Sequence, residues 1–289
     1  MRARLVGRVL AVAAAATVTA TIGLTAGAAV AEEQGTLKYV ALGDSSAAGP
    51  LIPSQVSTIC LRSDKNWPNV VARRLGADLT DVSCSGATTD DMAGRQFGLV
   101  APQYDALTAD TDLVTLAIGA NDIRLGTVVP SCLNSFPVPY GVSCKSRFTT
   151  GGTDELAERI AATAPKAGAV LDEINRRSPA ADVFVVTYAT YFAKGGCFGK
   201  DPIWGVDADY LQATWDRLHE MLAEQAAEHG ARFVDIRTPS ADHGVCASHG
   251  EKWMEGLVPT SAAAPYHPNA KGMAASGATV AAAIAAATL

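Results

Sequence analysis

Aromatic side chains are scarce in this chain, at 6% of 289 residues, and charged ones reach only 18%. Those proportions exclude a disordered tail and a coiled coil, and 26 glycines are far too few for a collagen. The apolar share of 48% contains 54 alanines, which bury little area, so the core has to come from clusters of Val, Ile and Leu. A basic excess is also missing, since 23 Lys and Arg stand against 29 Asp and Glu. That balance speaks against binding nucleic acid or an anionic membrane by charge alone. No CxxC pair occurs and no cysteine lies at finger spacing from a histidine, so no metal site is expected. After the N-terminus no run reads as a membrane span, and the Ala-rich end from Met273 to Leu289 is expected to be a helix docked on the domain.

What is present begins with an export signal over residues 1–31. Arg2, Arg4 and Arg8 precede an apolar run from Val9, which closes on Ala29-Val30-Ala31, an A-x-A cleavage site. Cleavage there leaves a single domain, 32–289, with 20 basic and 29 acidic residues, a net charge of −9. All six cysteines, Cys60, Cys84, Cys132, Cys144, Cys197 and Cys246, fall in that exported part, and an even number in an oxidising compartment implies three disulfides. Six cysteines allow fifteen pairings.

Short apolar runs alternate with helical periodicity along the domain. Strands are predicted at Leu37–Leu42, Leu79–Ser83, Asp112–Ile118, Asp182–Tyr188 and Arg232–Ile236, and their nearly continuous apolar character suits a sheet covered on both faces. A helix is predicted from Pro68 to Leu75. Leu156, Ile160, Ala164, Ala167, Leu171 and Ile174 define another with Thr153 as N-cap. Leu211, Trp215, Leu218, Leu222 and Ala226 define a third, closed by Gly230. Such alternation predicts one α/β domain with a parallel sheet. Loops of about thirty residues precede Thr153 and His267, a length that is usually functional or stapled.

Four short pieces follow predicted strands: Gly43-Asp44-Ser45, Gly86, Gly119-Ala120-Asn121-Asp122 and Tyr266-His267-Pro268-Asn269. Ligands of open parallel sheets bind beyond the carboxyl ends of strands, so four separate stretches aim at one crevice. A serine needs a base to become a nucleophile, and His267 is the best placed of five histidines to supply one. His219 and His229 are expected to be solvated or packed, and His243 and His249 to make structural hydrogen bonds. Asp44 reads as a turn residue, and Asp122 as the hydrogen-bonding group that orients its loop.

Together and in this order the four pieces resemble the blocks of the GDSL/SGNH hydrolase family, most specifically at Val40–Ser45, Ile118–Asp122 and His267–Gly272. The cysteine-bearing, exported form looks like secreted actinomycete esterases, lipases and phospholipases of that family. The resemblance implies a three-layer α/β/α, flavodoxin-like fold on a five-stranded parallel sheet. It implies Ser45 as nucleophile, His267 as base, and an oxyanion hole made of the Ser45 and Gly86 N–H groups and the Asn121 side chain. It also implies sequential disulfides, Cys60–Cys84, Cys132–Cys144 and Cys197–Cys246, and no cofactor or metal.

One position departs from the family pattern. The residue three before the histidine, normally Asp, is Ala264. Some secreted members that the chain resembles hold this imidazole on a main-chain carbonyl just before it, which implies the Pro265 carbonyl as the group that orients His267, with Asp242 as the rival. The function expected is a secreted carboxylic ester hydrolase acting on acyl lipid or phospholipid esters. It should act as a monomer with at most transient contact with a lipid surface and no nucleic-acid partner. A carbohydrate acetylesterase on the same machinery is the alternative, and a non-catalytic extracellular binding protein is the reading of another class. Leu51, Ile52, Phe97, Phe136, Val138, Phe192, Phe198 and Trp204 are candidate walls of an acyl groove.

Overall fold

The structure, a computed structural model, describes residues 35–287; the export signal expected over 1–31 lies outside them. Five strands form one sheet in the order β4-β1-β5-β6-β7, every neighbouring pair parallel: β1 (Lys38–Gly43), β4 (Asp78–Asp81), β5 (Leu113–Ala117), β6 (Asp182–Val186) and β7 (Arg232–Val234). β2 (Gln55–Ser57) and β3 (Arg62–Ser63) pair antiparallel in the loop after β1. The helices are α1 (Ser45–Ala48), α2 (Trp67–Leu75), α3 (Leu125–Ser131), α4 (Cys144–Phe148), α5 (Glu155–Arg177), α6 (Gly205–Glu228) and α7 (Ala270–Ala287). All five predicted strands are thus present, each within a few residues of its expected bounds. The long third loop carries two short helices, α3 and α4, that periodicity did not reveal.

Successive strand side chains point to opposite faces, and the apolar runs sort themselves accordingly. Tyr39, Ala41, Leu113, Ala117, Phe184 and Val186 face one core, shared with α2 and α7. Val40, Leu42, Val114, Leu116, Val183 and Val185 face the other, shared with α5 and α6. Both faces are covered, which gives the three-layer α/β/α architecture of SGNH hydrolases. α7 is apolar and long enough to cross a membrane by length and composition. Here it lies on the domain, with Met273, Val280 and Ile284 buried in the first core.

The helix ends follow local chemistry. Asn66 caps α2, accepting from the Asn69 N–H at 3.1 Å. α5 is capped by Asp154 and not by Thr153: the Asp154 carboxylate accepts from the Leu156 and Ala157 N–H groups, both at 3.2 Å. A carboxylate one residue nearer the helix reaches those donors and gains from the positive end of the helix dipole. α6 stops at Glu228, and Gly230 follows in the left-handed region with φ 72°, as a terminating glycine should.

Candidate active site

β1 delivers the chain to its carboxyl end at Gly43. A Cβ there would sit 2.7 Å from the Ala117 carbonyl oxygen of β5, so glycine is required for the two strands to run together this far. The buried Gln103 amide clamps the same residue, accepting from the Gly43 N–H at 2.7 Å and donating to its carbonyl at 2.9 Å. Asp44 then caps α1, accepting from the N–H and hydroxyl of Ser46 at 2.8 and 2.7 Å. Ser45 is the first residue of that helix and lines the crevice above the sheet.

Asp44 is 1% exposed. Burial pushes its carboxyl up to about 6, against hydrogen bonds from Tyr188 and Ser46 that hold it down. Tyr188, just beyond β6, donates its hydroxyl proton to Asp44 Oδ2 at 2.6 Å and accepts from the Ala120 N–H at 3.0 Å. One buried phenol therefore joins the turn that carries Ser45 to the loop that carries Asn121. Asn121 donates one side-chain amide proton to the Ala87 carbonyl at 2.9 Å, which leaves its second proton for another acceptor. Asp122 accepts from the N–H and hydroxyl of Thr89 at 3.2 and 2.5 Å, so it ties the third loop to the second, as expected of an orienting group. Burial raises its carboxyl above the ordinary range.

Gly86 adopts φ 84°, a conformation open to glycine and strained for other residues. Its loop is held by Gln96, which donates to the Ser85 carbonyl at 2.9 Å, and by the Ser85 N–H, which donates to the Cys60 carbonyl at 2.9 Å. Among the described residues the N–H groups of Ser45 and Gly86 have no hydrogen-bond acceptor. Two unengaged amides beside a spare Asn121 proton make a set of donors suited to an oxyanion.

His267 completes the crevice. Its Nε2 lies 2.8 Å from Ser45 Oγ and its Nδ1 2.8 Å from the Pro265 carbonyl oxygen. A carbonyl only accepts, so Nδ1 bears the proton and Nε2 offers its lone pair to the serine hydroxyl. Burial lowers the imidazole below its ordinary value, and the Pro265 hydrogen bond partly opposes this. Tyr266 stands between the two in a left-handed conformation, φ 57°, held by its hydroxyl on Asp201 at 3.1 Å. Asn269 donates to Glu255 Oε1 at 2.7 Å, and the Glu255 N–H returns to the His267 carbonyl at 3.0 Å. Asp242 is exposed and is not a hydrogen-bond partner of His267.

Three of the other four histidines have structural partners: His219 with Thr187 at 2.8 Å, His229 with Asp172 at 2.7 Å, and His243 with the Glu251 carbonyl at 2.7 Å. His249 is exposed. Disulfides join Cys60 to Cys84, Cys132 to Cys144 and Cys197 to Cys246. Among the described residues no cluster of three or more His, Cys, Asp or Glu side chains is placed to hold a metal ion.

A cavity of about 500 Å³ opens from the Ser45–His267 pair. Its apolar wall comes from Leu125, Val129 and Pro130 on α3, from Leu257, and from Tyr191 stacked on Trp215 with ring centroids 4.2 Å apart. None of the eight residues anticipated as an acyl groove lines it. Ile52, Phe192 and Trp204 are buried in packing, while Leu51, Phe97, Phe136, Val138 and Phe198 point to solvent. Hydrophobicity alone does not tell which loop side chain folds inward. Periodicity places Trp215 on a helix and Tyr188 at the end of a strand but gives neither a role in the site, and Tyr191 and Gln103 carry no local signal beyond the position of Tyr191 shortly after that strand.

Sheet order, the four loop pieces and the Ser45–His267 hydrogen bond together define a hydrolase of the SGNH type. The GDSL-like Lipase/Acylhydrolase family matches residues 41–275, and the chain belongs to that family of ester hydrolases. It is 38% identical over 278 residues to Lipase 2 of Streptomyces coelicolor, covering 92% of each chain. Among solved structures it is similar to phospholipase A1 from Streptomyces albidoflavus, with TM-score 0.70, 26% identity, 86% of this chain and 98% of that one. It is also similar to an extracellular lipase from Streptomyces rimosus, with TM-score 0.69, 28% identity, and 86% and 99% coverage.

Proposed function

We propose that this chain is a secreted, monomeric serine esterase that cleaves acyl lipid or phospholipid esters. The observation that carries this reading is the 2.8 Å contact between His267 Nε2 and Ser45 Oγ, with Nδ1 held on the Pro265 carbonyl. Ser45 Oγ attacks the ester carbonyl carbon while His267 Nε2 takes its proton. The carbonyl oxygen becomes an oxyanion that accepts from the Ser45 N–H, the Gly86 N–H and the Asn121 amide, each such donor contributing roughly 3–4 kcal/mol in the transition state. The tetrahedral intermediate collapses, His267 returns the proton to the leaving alcohol, and an acyl-serine remains. Water, deprotonated by the same imidazole, then releases the carboxylic acid and restores Ser45.

The apolar cavity supports a fatty acyl chain, because each buried CH₂ contributes about 0.8 kcal/mol. Secretion is supported by the export signal, by disulfides at all six cysteines and by the extracellular Streptomyces rimosus relative. The deciding experiment is hydrolysis of acetyl, octanoyl and palmitoyl esters and of a phospholipid by the wild type and by Ser45→Ala. The expected outcome is a preference for octanoyl over acetyl and a loss of about 10⁴-fold or more in Ser45→Ala. Full activity in Ser45→Ala would refute the nucleophile, whereas a preference for acetyl would favour the carbohydrate acetylesterase.

A further inference from the structure

A second cleft of about 500 Å³ lies against the catalytic cavity, and the mechanism above makes no use of it. The two meet at Asn121, whose residue lines both. Their walls are opposite in character. The catalytic cavity is lined chiefly by apolar residues, while the second cleft carries Asp90, Asp122, Arg124, Glu155, Arg159 and Lys166.

Most of those charges are already engaged. Lys166 lies 3.4 Å from Asp90. Arg159 pairs with Glu155 and donates to the Ile123 carbonyl at 3.1 Å, and Asp122 accepts from Thr89. Arg124 differs, since its guanidinium is exposed and has no hydrogen bond or ion pair among the described residues. Its backbone is left-handed, φ 62° and ψ 34°, an uncommon conformation for a long side chain and one that clusters at ligand clamps. That conformation falls at the step from the Asn121 loop into α3. Leu125 and Val129 of α3 line the apolar cavity, while Arg124 lines the polar cleft. The strained residue thus stands at the divide between them.

We infer that the second cleft receives the phosphodiester of a glycerophospholipid, with Arg124 as its principal ligand, while the scissile ester lies at Ser45. Guanidinium geometry matches two phosphate oxygens at once. Lys166 and Arg159 are paired with Asp90 and Glu155, so among the described residues Arg124 is the cation of this cleft left free for a phosphate. In such a lipid only a glycerol carbon chain separates ester from phosphate, so an acyl cavity and a headgroup cleft must adjoin, and at Asn121 they do. The inference rests on the esterase reading and narrows its substrate class to phospholipids.

The test compares kcat/KM on dioctanoylphosphatidylcholine, kept below its micelle threshold, with kcat/KM on p-nitrophenyl octanoate, which has no phosphate. Arg124→Ala should lower the phospholipid-to-simple-ester ratio by about 10- to 100-fold, chiefly through KM, the range of one charge-assisted hydrogen bond. Arg124→Glu should lower it further, and Arg124→Lys should retain much of it. A ratio unchanged within about twofold in Arg124→Ala, or a wild type that cleaves the simple ester and ignores the phospholipid, overturns the inference. Competition separates the source of the phosphate. Glycerophosphocholine should inhibit the wild type and lose potency in Arg124→Ala; inorganic phosphate inhibiting as strongly would mark a free-anion site and also overturn it. Failure of the esterase reading has a different signature, namely simple-ester hydrolysis that survives Ser45→Ala.

Discussion

The two halves of the Ser45–His267 pair are held by different means. Ser45 stands on a turn at the carboxyl end of β1, where the buried Asp44 carboxylate caps its helix and Tyr188 locks that carboxylate to the Asn121 loop. His267 stands on a long irregular segment, and the group on its Nδ1 is the neutral Pro265 carbonyl. The buried Asp44 carboxylate therefore serves the nucleophile's turn and not the imidazole. A carbonyl fixes tautomer and orientation but stabilises an imidazolium less than a carboxylate does. The histidine side compensates with structure: the Tyr266–Asp201 and Asn269–Glu255 contacts hold the residues on either side of it, and the Cys197–Cys246 bridge ties the loop that precedes it.

The sharpest way to break this contrast is at the histidine. His267→Ala should lower ester hydrolysis about 10⁴-fold or more, while Asp242→Asn should stay within about threefold of wild type in kcat/KM. A loss of orders of magnitude in folded Asp242→Asn would mean that a distant acid, and not the carbonyl, orients the ring. With burial lowering His267, its neutral, proton-accepting form persists to lower pH than in a free imidazole. The acid limb of kcat/KM should accordingly have its midpoint below 6.5, the ordinary imidazole value.

Next in size are the staples. Cys197 and Cys246 are 49 residues apart, Cys132 and Cys144 only 12. Chain entropy predicts a loss of about 4 kcal/mol on removing the first bridge as paired serines and about 3 kcal/mol on removing the second. Urea unfolding of the two double variants checks the order, and equal midpoints would show that the histidine segment does not depend on its longer bridge.

The smallest effect is expected at the serine side. Tyr188→Phe leaves the Ala120 N–H without an acceptor, while Asp44 keeps both bonds from Ser46, a loss of about 1–3 kcal/mol. It should lower kcat more than it raises KM, since it loosens the link between nucleophile and oxyanion loops. Burial raises the Asp44 carboxyl to about 6, and the Tyr188 hydrogen bond is among those that keep it from going higher. Its loss moves that ionisation to higher pH. In the folded protein the protonated form then persists further toward neutrality, and any pH dependence of activity tied to Asp44 shifts upward. An unchanged kcat and pH profile would mean that the network is only packing.

Much of this was legible along the chain. Strands β1, β5 and β6 announced themselves through runs such as Tyr39–Leu42 and Val183–Val186, because continuous apolar segments of that length require cover on both faces. Gly43, Ser45, Asn121 and His267 could be named because each lies in a compact motif just past a strand. The absence of an acid at Ala264 was visible as well, and the family resemblance pointed to Pro265.

What the sequence by itself determined, then, is the kind of element each segment forms and the loops from which the chemistry comes. Those depend on periodicity, caps and turn residues within a few positions of one another. Only the tertiary structure decided that Tyr188 meets Asp44 across 144 residues, that Trp215 and Val129 rather than Phe97 or Phe136 wall the cavity, and that Arg124 stands at the divide between two clefts. Such contacts depend on the register and packing of elements far apart in the chain, and no local pattern of residues encodes them.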